Sequence, residues 1–132
     1  MPKLNVQDCK LGIDGYDPVS YFDSEPLEGS SDITAESEGV IYRFASSANK
    51  ERFEAAPQKF APQYGGWCAV AVSEGKYFPV NPKTYTIQDD KLFLFYNAEQ
   101  GNTLPQWQES PESRQQAADK HWAADDIVFP ED

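Results

Sequence analysis

Two thiols and one imidazole are the strongest nucleophiles and metal ligands in this sequence. Cys9 and Cys68 are its only cysteines, and His121 is its only histidine. A thiolate and an imidazole can form a base-assisted nucleophile, or can bind a soft metal such as copper or zinc. A thiol redox enzyme would need a second cysteine close to Cys68, and only Cys9 is available. His121 lies near the end of a predicted helix, where we expect a structural or surface role.

Cys68 lies in the least polar stretch of the chain, residues 64–75. If this stretch is a helix that begins near Gly66, Cys68 falls in its first turn, where unpaired backbone N–H groups favour a thiolate. If the stretch is a strand, Cys68 is a core residue. Because cysteine is among the most buried residue types, we favour packing over reactivity. A disulfide with Cys9 is unusual in the cytoplasm, so we expect free thiols.

A second candidate site combines aromatic rings with one carboxylate. Asp17 precedes Pro18, and its side chain is expected to cap the helical turn that follows. The alternative is that this carboxylate forms the polar floor of an aromatic pocket, as in apolar ligand sites with a few fixed polar groups. The residues predicted to surround such a cleft are Tyr16, Asp17, Tyr21, Tyr64, Trp67 and Cys68.

Composition limits the classes of partner. The 132 residues suffice for one domain with one core. The 22 acidic and 11 basic residues give a formal net charge of -11, which disfavours nucleic acid and anionic membrane surfaces. Aromatic residues make up 14% of the chain, which argues against disorder. Because neither an export signal nor a stretch of transmembrane length is present, we expect a soluble cytoplasmic protein, or a periplasmic one if a leader has been removed.

The elements that must position these residues are two hairpins and several helices. Strands are predicted at 33–36 and 40–44 and at residues 84–87 and 91–96, each pair around a short turn. Ser46 or Ser47 is expected to cap a helix that Pro57 ends, with Phe53 and Phe60 as buried anchors. A short helix is predicted through Trp107 and a longer one from Glu112 to about Trp122.

The predicted fold class is α+β, with a small antiparallel sheet built from two hairpins, packed with short helices and a C-terminal helical segment. We expect a single domain over residues 1–132, with an N-terminal arm at 1–14 and an acidic C-terminal tail at 123–132. We find no internal repeat in the sequence. The sequence does not predict the oligomeric state.

Four ordered blocks resemble the YHS-domain family. They are Gly-Tyr-Asp-Pro-Val at 15–19, the segment 42–53, Pro-Gln-Lys-Phe-Ala-Pro-Gln-Tyr-Gly-Gly at 57–66, and Lys-Leu-Phe-Leu-Phe-Tyr-Asn at 91–97. The resemblance as a whole covers roughly residues 15–122. The chain is most similar to the free-standing small bacterial branch of this family, whose function is not well defined.

A second branch of the family, for which heavy-metal binding is suspected, carries cysteines after Asp-Pro-Val and in a Cys-Ser-x-x-Cys pair. The corresponding positions here are Ser20, Ala45 and Asn49, which are poor ligands for a soft metal. The resemblance therefore implies the fold without that metal site. Asp90 stands where the family usually has glycine, so a strained turn is expected there.

We therefore expect a non-catalytic YHS-like module that binds a small ligand or a protein partner through an aromatic-lined cleft near Cys68, with no cofactor. The alternative is a protein that binds or handles copper or zinc through Cys68, with help from Cys9 or His121. An enzymatic activity is the less favoured interpretation.

Overall fold

Antiparallel hairpins and short helices alternate along the chain. The computed structural model of the protein describes residues 11–23, 25–98 and 101–129. Its elements in chain order are α1 (Ser20–Asp23), β1 (Ser30–Ser37), β2 (Val40–Phe44), α2 (Ser47–Ala55), α3 (Pro57–Phe60), α4 (Ala69–Ser73), β3 (Asn81–Gln88), β4 (Lys91–Phe95), β5 (Asn97–Ala98), β6 (Gly101–Asn102), α5 (Leu104–Glu109) and α6 (Pro111–Ala124). The predicted α+β class is confirmed.

Both predicted hairpins are present. β1 pairs with β2 and β3 pairs with β4, each pair antiparallel and each forming its own two-stranded sheet. The described residues contain one further antiparallel pair, β5 with β6, which is too short to give an alternating pattern in the sequence and was not predicted. No helix in the described part of the chain is both long and apolar enough to cross a membrane.

The predicted helices follow local signals. Ser46 caps α2, because its hydroxyl oxygen accepts a hydrogen bond of 3.1 Å from the backbone N–H of Asn49. Phe53 and Phe60 are buried, as expected for the anchors of this region. α5 contains the buried Trp107, and α6 extends slightly beyond both predicted ends.

β4 divides the hydrophobic core into two clusters, because successive side chains of a strand point to opposite faces. Leu92 and Leu94 belong to the first cluster, which contains the buried residues of the first hairpin and of α2. Phe93 and Phe95 belong to the second cluster, which contains α4 and the buried residues of α5 and α6. The apolar residues 69–72 are all buried, as expected for the centre of the chain.

The two halves of the described chain repeat one backbone arrangement, which the sequence analysis did not predict. β3 and β4 occupy positions 81–88 and 91–95, which are 51 residues after β1 and β2 at 30–37 and 40–44. Each hairpin is preceded by a turn with left-handed backbone, in which Ile13 has φ 51° and Tyr64 has φ 59°. The backbone of the first half therefore recurs in the second.

Individual contacts recur at the same offset. The N–H of Asp17 donates to the carbonyl oxygen of Leu27 at 2.8 Å, and the N–H of Cys68 donates to that of Phe78 at 3.1 Å. Leu11 and Pro62 form matching parallel bridges with β2 and β4.

After the hairpins the offset becomes 54 residues. Phe53 packs on Phe44 with ring centroids 5.2 Å apart, and Trp107 packs on Phe95 at 5.6 Å. The helices α2 and α5 are both followed by a residue of the same backbone geometry that leads into a proline, with φ -153° and ψ 66° at Ala56 and φ -147° and ψ 59° at Ser110. The repeat thus includes the helix that follows each hairpin, with a three-residue insertion in the second half.

The predicted terminal segments pack against the domain where they are described. Residues 1–10 of the predicted arm and 130–132 of the predicted tail lie outside the described residues. The N–H of Gly12 donates to the carbonyl oxygen of Ile41 at 2.8 Å. Val128 donates to Gly75 at 3.1 Å and accepts from Tyr77 at 3.0 Å, so residues 127–129 are held by backbone hydrogen bonds.

The two hairpin turns differ at one equivalent position. The first turn is Glu38-Gly39 and the second is Asp89-Asp90, and all four residues have positive φ. This backbone matches the twist of the strands but favours glycine, which has no Cβ to clash. Asp90 occupies the position of Gly39 with φ 61°, so the left-handed backbone expected at this turn is present.

We expect Asp90→Gly to raise the free energy of unfolding by about 0.5–1 kcal/mol, because it removes the left-handed strain. Gly39→Asp is the matched control, and it should lower the free energy of unfolding by a similar amount. Urea denaturation followed by tryptophan fluorescence measures both. A loss of stability in Asp90→Gly would contradict the strain argument.

Candidate functional site

The structure divides the six residues predicted for the aromatic cleft between the two clusters. Tyr16 and Tyr21 pack in the first cluster. Tyr64, Trp67 and Cys68 pack in the second. A single cleft lined by all of them is not found among the described residues, because β4 lies between the clusters.

Two of these aromatic residues have structural contacts. The hydroxyl of Tyr21 donates to the carbonyl oxygen of Pro82, and burial raises the pKa of Tyr21 above its ordinary value. Trp67 packs against Tyr77 with ring centroids 4.9 Å apart, and against Phe129 at 5.7 Å. Both rings connect one segment of the fold to another.

Asp17 is a fully buried carboxylate that accepts four hydrogen bonds. Oδ1 accepts from the backbone N–H groups of Val19 at 2.8 Å and Ser20 at 3.3 Å, which confirms the predicted cap of the turn. Oδ2 accepts from the backbone N–H of Ala45 and from Nδ2 of Asn49, both at 2.8 Å. Asp17 therefore joins the start of α1 to the junction of β2 and α2.

The structure brings together Ser20, Ala45 and Asn49, the three positions for which the sequence analysis noted the absence of thiols. Ser20, Ala45 and Asn49 each donate a hydrogen bond to Asp17. Ser20 also donates its hydroxyl to the carbonyl oxygen of Asp17 at 2.6 Å. In this chain the space between the three positions is occupied by a carboxylate and its donors.

Cys68 occupies the position in the second half that Asp17 has in the first. α4 begins at Ala69, so Cys68 directly precedes the helix and forms an isolated bridge with Leu94. The thiol is free, fully buried, and 3.3 Å from the hydroxyl oxygen of Thr103. This hydroxyl in turn donates to the carbonyl oxygen of Tyr96 at 3.2 Å. The surroundings are those of a packed thiol.

The residues predicted for a metal alternative do not form a described cluster. His121 is half-buried, and its Nδ1 lies 2.8 Å from Oδ1 of Asp126. Cys9 lies outside the described residues. Within the described ranges, no group of three or more His, Cys, Asp or Glu side chains is placed to hold a metal ion.

A groove of about 220 Å³ opens where the two clusters meet. One wall is formed by the first hairpin, through Ser37, Glu38, Val40 and Tyr42. The opposite wall is formed by Gln58 and residues 61–65, and Trp122 of α6 completes the groove. Of the six predicted cleft residues, only Tyr64 lines it.

The groove is aromatic and negatively charged. The rings of Tyr64 and Trp122 meet at 64° with centroids 6.0 Å apart. The hydroxyl of Tyr64 donates to Oδ1 of Asp119 at 2.7 Å. Burial is the largest cause that raises the pKa of Tyr64, and the hydrogen bond and charge of Asp119 add to it. Burial, together with the charge of Glu38, likewise raises the pKa of Tyr42. Both phenols are therefore protonated at neutral pH.

The internal repeat allows two groove residues to be compared with their positions in the second half. Ser37 and Ala61 of the groove correspond to Gln88 and Gln115 at the offsets of 51 and 54 residues. In the second half these glutamines are hydrogen bonded, with Nε2 of Gln88 donating to Oε1 of Gln115 at 2.7 Å. Gln88 also accepts from Nε1 of Trp107 at 3.1 Å. The small side chains of Ser37 and Ala61 do not fill the equivalent space.

The sequence analysis missed most of the groove. Tyr42 follows from the alternation of β2, which places every second side chain on the core. Asp119 and Trp122 are three residues apart on α6 and therefore share one helical face. The contribution of Ser37 and Ala61 is recognisable only once the repeat is known.

Comparison of this chain with protein-family models, with curated proteins and with solved structures gave no match. The resemblance to the YHS-domain family therefore stays a prediction.

We expect Asp17→Asn to lower the free energy of unfolding by about 2–4 kcal/mol, because an amide nitrogen would face buried N–H donors. Asp32→Asn is the control, since Asp32 is an exposed residue of β1 and should leave stability nearly unchanged. Urea denaturation measures both. A loss below about 1 kcal/mol for Asp17→Asn would show that the four hydrogen bonds are replaceable.

In a Cys9→Ser background, we expect Cys68 to react with a bulky maleimide only as fast as the protein unfolds, because its sulfur is fully buried. A Ser113→Cys variant in the same background, with Cys68 also replaced by alanine, supplies an exposed thiol as control. Mass spectrometry of timed samples gives the rates. Equal rates for the two thiols would refute the packed role of Cys68.

Proposed function

We propose that this protein is a non-catalytic binding module and that the groove beside Tyr64 and Trp122 takes a small ligand. The observation that carries this proposal is a concave, aromatic-lined site that stays open at a position which the same chain closes in its second half. Small-molecule sites are typically concave and lined by aromatic rings with a few polar groups. Tyr42, Tyr64 and Trp122 supply the rings, and Glu38 with Gln58 supplies polar groups.

The proposal moves the predicted binding site away from Cys68. The sulfur of Cys68 contacts Thr103, and Cys68 does not line the groove. In the alternative of a protein partner, that protein would have to insert a single side chain into the same groove. A small ligand is favoured because the groove has a volume of only about 220 Å³.

The resemblance to the free-standing YHS branch is part of this proposal. It is supported by the convergence of Ser20, Ala45 and Asn49 on one buried carboxylate. In the branch with thiols at these positions, the same convergence would give a metal site, whereas here Asp17 fills the space. The alternative of copper or zinc handling through Cys68 remains a prediction that no contact among the described residues favours.

The double variant Ser37→Gln/Ala61→Gln should close the groove by copying the glutamine pair of the second half. Because both positions are half-buried in the groove wall, we expect the fold to persist within about 1 kcal/mol. The measurement is ¹H–¹⁵N NMR with choline, benzoate, phenol and 3,3-dimethylbutan-1-ol as cationic, anionic and neutral probes. At least one probe should shift groove resonances in the wild type and none in the variant.

The matched control is Ser47→Gln/Ala55→Gln, which makes the same two replacements at exposed positions of α2. It should bind the probes as the wild type does. If no probe shifts groove resonances in the wild type, or if closing the groove leaves the shifts unchanged, the groove is not a binding site.

A further inference from the structure

The ligand class of the groove is indicated by its charge and its rings, and this inference rests on the proposed function. Glu38 is the only charged residue among those that line the groove in the described part of the chain. A second carboxylate, that of Asp119, is hydrogen bonded to the hydroxyl of Tyr64. The chain as a whole carries a formal net charge of -11. An anionic ligand would meet repulsion from each of these charges.

Glu38 and Asp119 act on two tyrosines that line the groove. The charge of Glu38 helps to raise the pKa of Tyr42, and the hydrogen bond and charge of Asp119 help to raise that of Tyr64, with burial as the larger cause in both. A carboxylate that opposes the ionisation of a neighbouring phenol also attracts a positive charge placed beside it.

The aromatic rings add a specific attraction for a weakly hydrated cation. A positive charge within about 6 Å of the face of a tryptophan or tyrosine is attracted to the negative potential of the ring. Tyr64 and Trp122 both line the groove and meet edge to face at 6.0 Å, so two differently oriented rings border it. Inorganic cations would need several oxygen ligands, and among the described residues that line the groove only Glu38 supplies a carboxylate.

We propose that the groove binds a small organic cation with a quaternary or methylated ammonium group, which packs against Tyr64 and Trp122 while Glu38 balances its charge. A quaternary ammonium group brings no N–H groups that must be satisfied, and each methyl group of a methylated ammonium removes one of them. The apolar methyl groups contact the rings.

Choline and 3,3-dimethylbutan-1-ol provide the decisive comparison, since the alcohol has the shape of choline without its charge. At low ionic strength we expect choline to bind more tightly than the alcohol by about tenfold or more. NMR titration of groove resonances gives both dissociation constants. Added salt should weaken the binding of choline and leave that of the alcohol nearly unchanged.

Single substitutions test which groove residues contribute to choline binding. Glu38→Gln should weaken choline binding severalfold without changing the affinity for the alcohol, whereas Glu54→Gln, which removes an exposed charge from α2, should change neither. Trp122→Leu should also weaken choline binding, and Trp122→Phe, which keeps a ring and protects the fold, should restore part of it.

The outcomes separate this inference from the proposed function. Equal affinities for choline and the alcohol, or a choline affinity insensitive to both Glu38→Gln and Trp122→Leu, would overturn the cation inference and leave a small-ligand groove. No choline binding together with a benzoate or phenol shift in the groove would have the same meaning. Failure of every probe would overturn both proposals.

Discussion

The burial of β4 on both faces is the constraint on which the rest of the structure depends. Leu92, Phe93, Leu94 and Phe95 are all fully buried, and each contributes about 1.5–3 kcal/mol by leaving water. Because alternate residues point to opposite sides, the strand requires a separate apolar partner on each face. The first hairpin with α2 provides one, and α4 with α5 and α6 provides the other. The groove lies where these two partners meet, so its position follows from this division.

Local chemistry explains what the sequence could predict. The hairpins follow from alternation and turn residues, and α2 follows from the cap at Ser46, because each signal lies within a few residues of its effect. Asp17 was correctly expected to cap its turn, but the bonds to Ala45 and Asn49 join residues 28 and 32 positions away. The residues predicted for the aromatic cleft are divided for the same reason, because only the tertiary structure shows that β4 lies between the two clusters.

The internal repeat was invisible in the sequence because its halves preserve backbone geometry and not side chains. Some pairs remain similar, such as Tyr16 with Trp67. Others have changed class, and Asp17 with Cys68 is the clearest example. The carboxylate of Asp17 accepts four hydrogen bonds, whereas the thiol of Cys68 has one polar neighbour. The fold tolerates this difference because the second half joins its elements through other contacts. The repeat therefore shows which side chains the backbone requires and which it leaves free to change.

The difference between the halves at the groove follows from this freedom. Gln88 is needed in the second half because the buried N–H of Trp107 requires an acceptor. Phe53, at the equivalent position in the first half, has no such group, so Ser37 is released from that role. Without this requirement, position 37 could carry any side chain, including one that fills the space without breaking a hydrogen bond. The space is nevertheless left open and is surrounded by two tyrosines and a tryptophan. The packing requirement of the fold explains the glutamine pair of the second half, and the proposed ligand binding would account for the open space in the first.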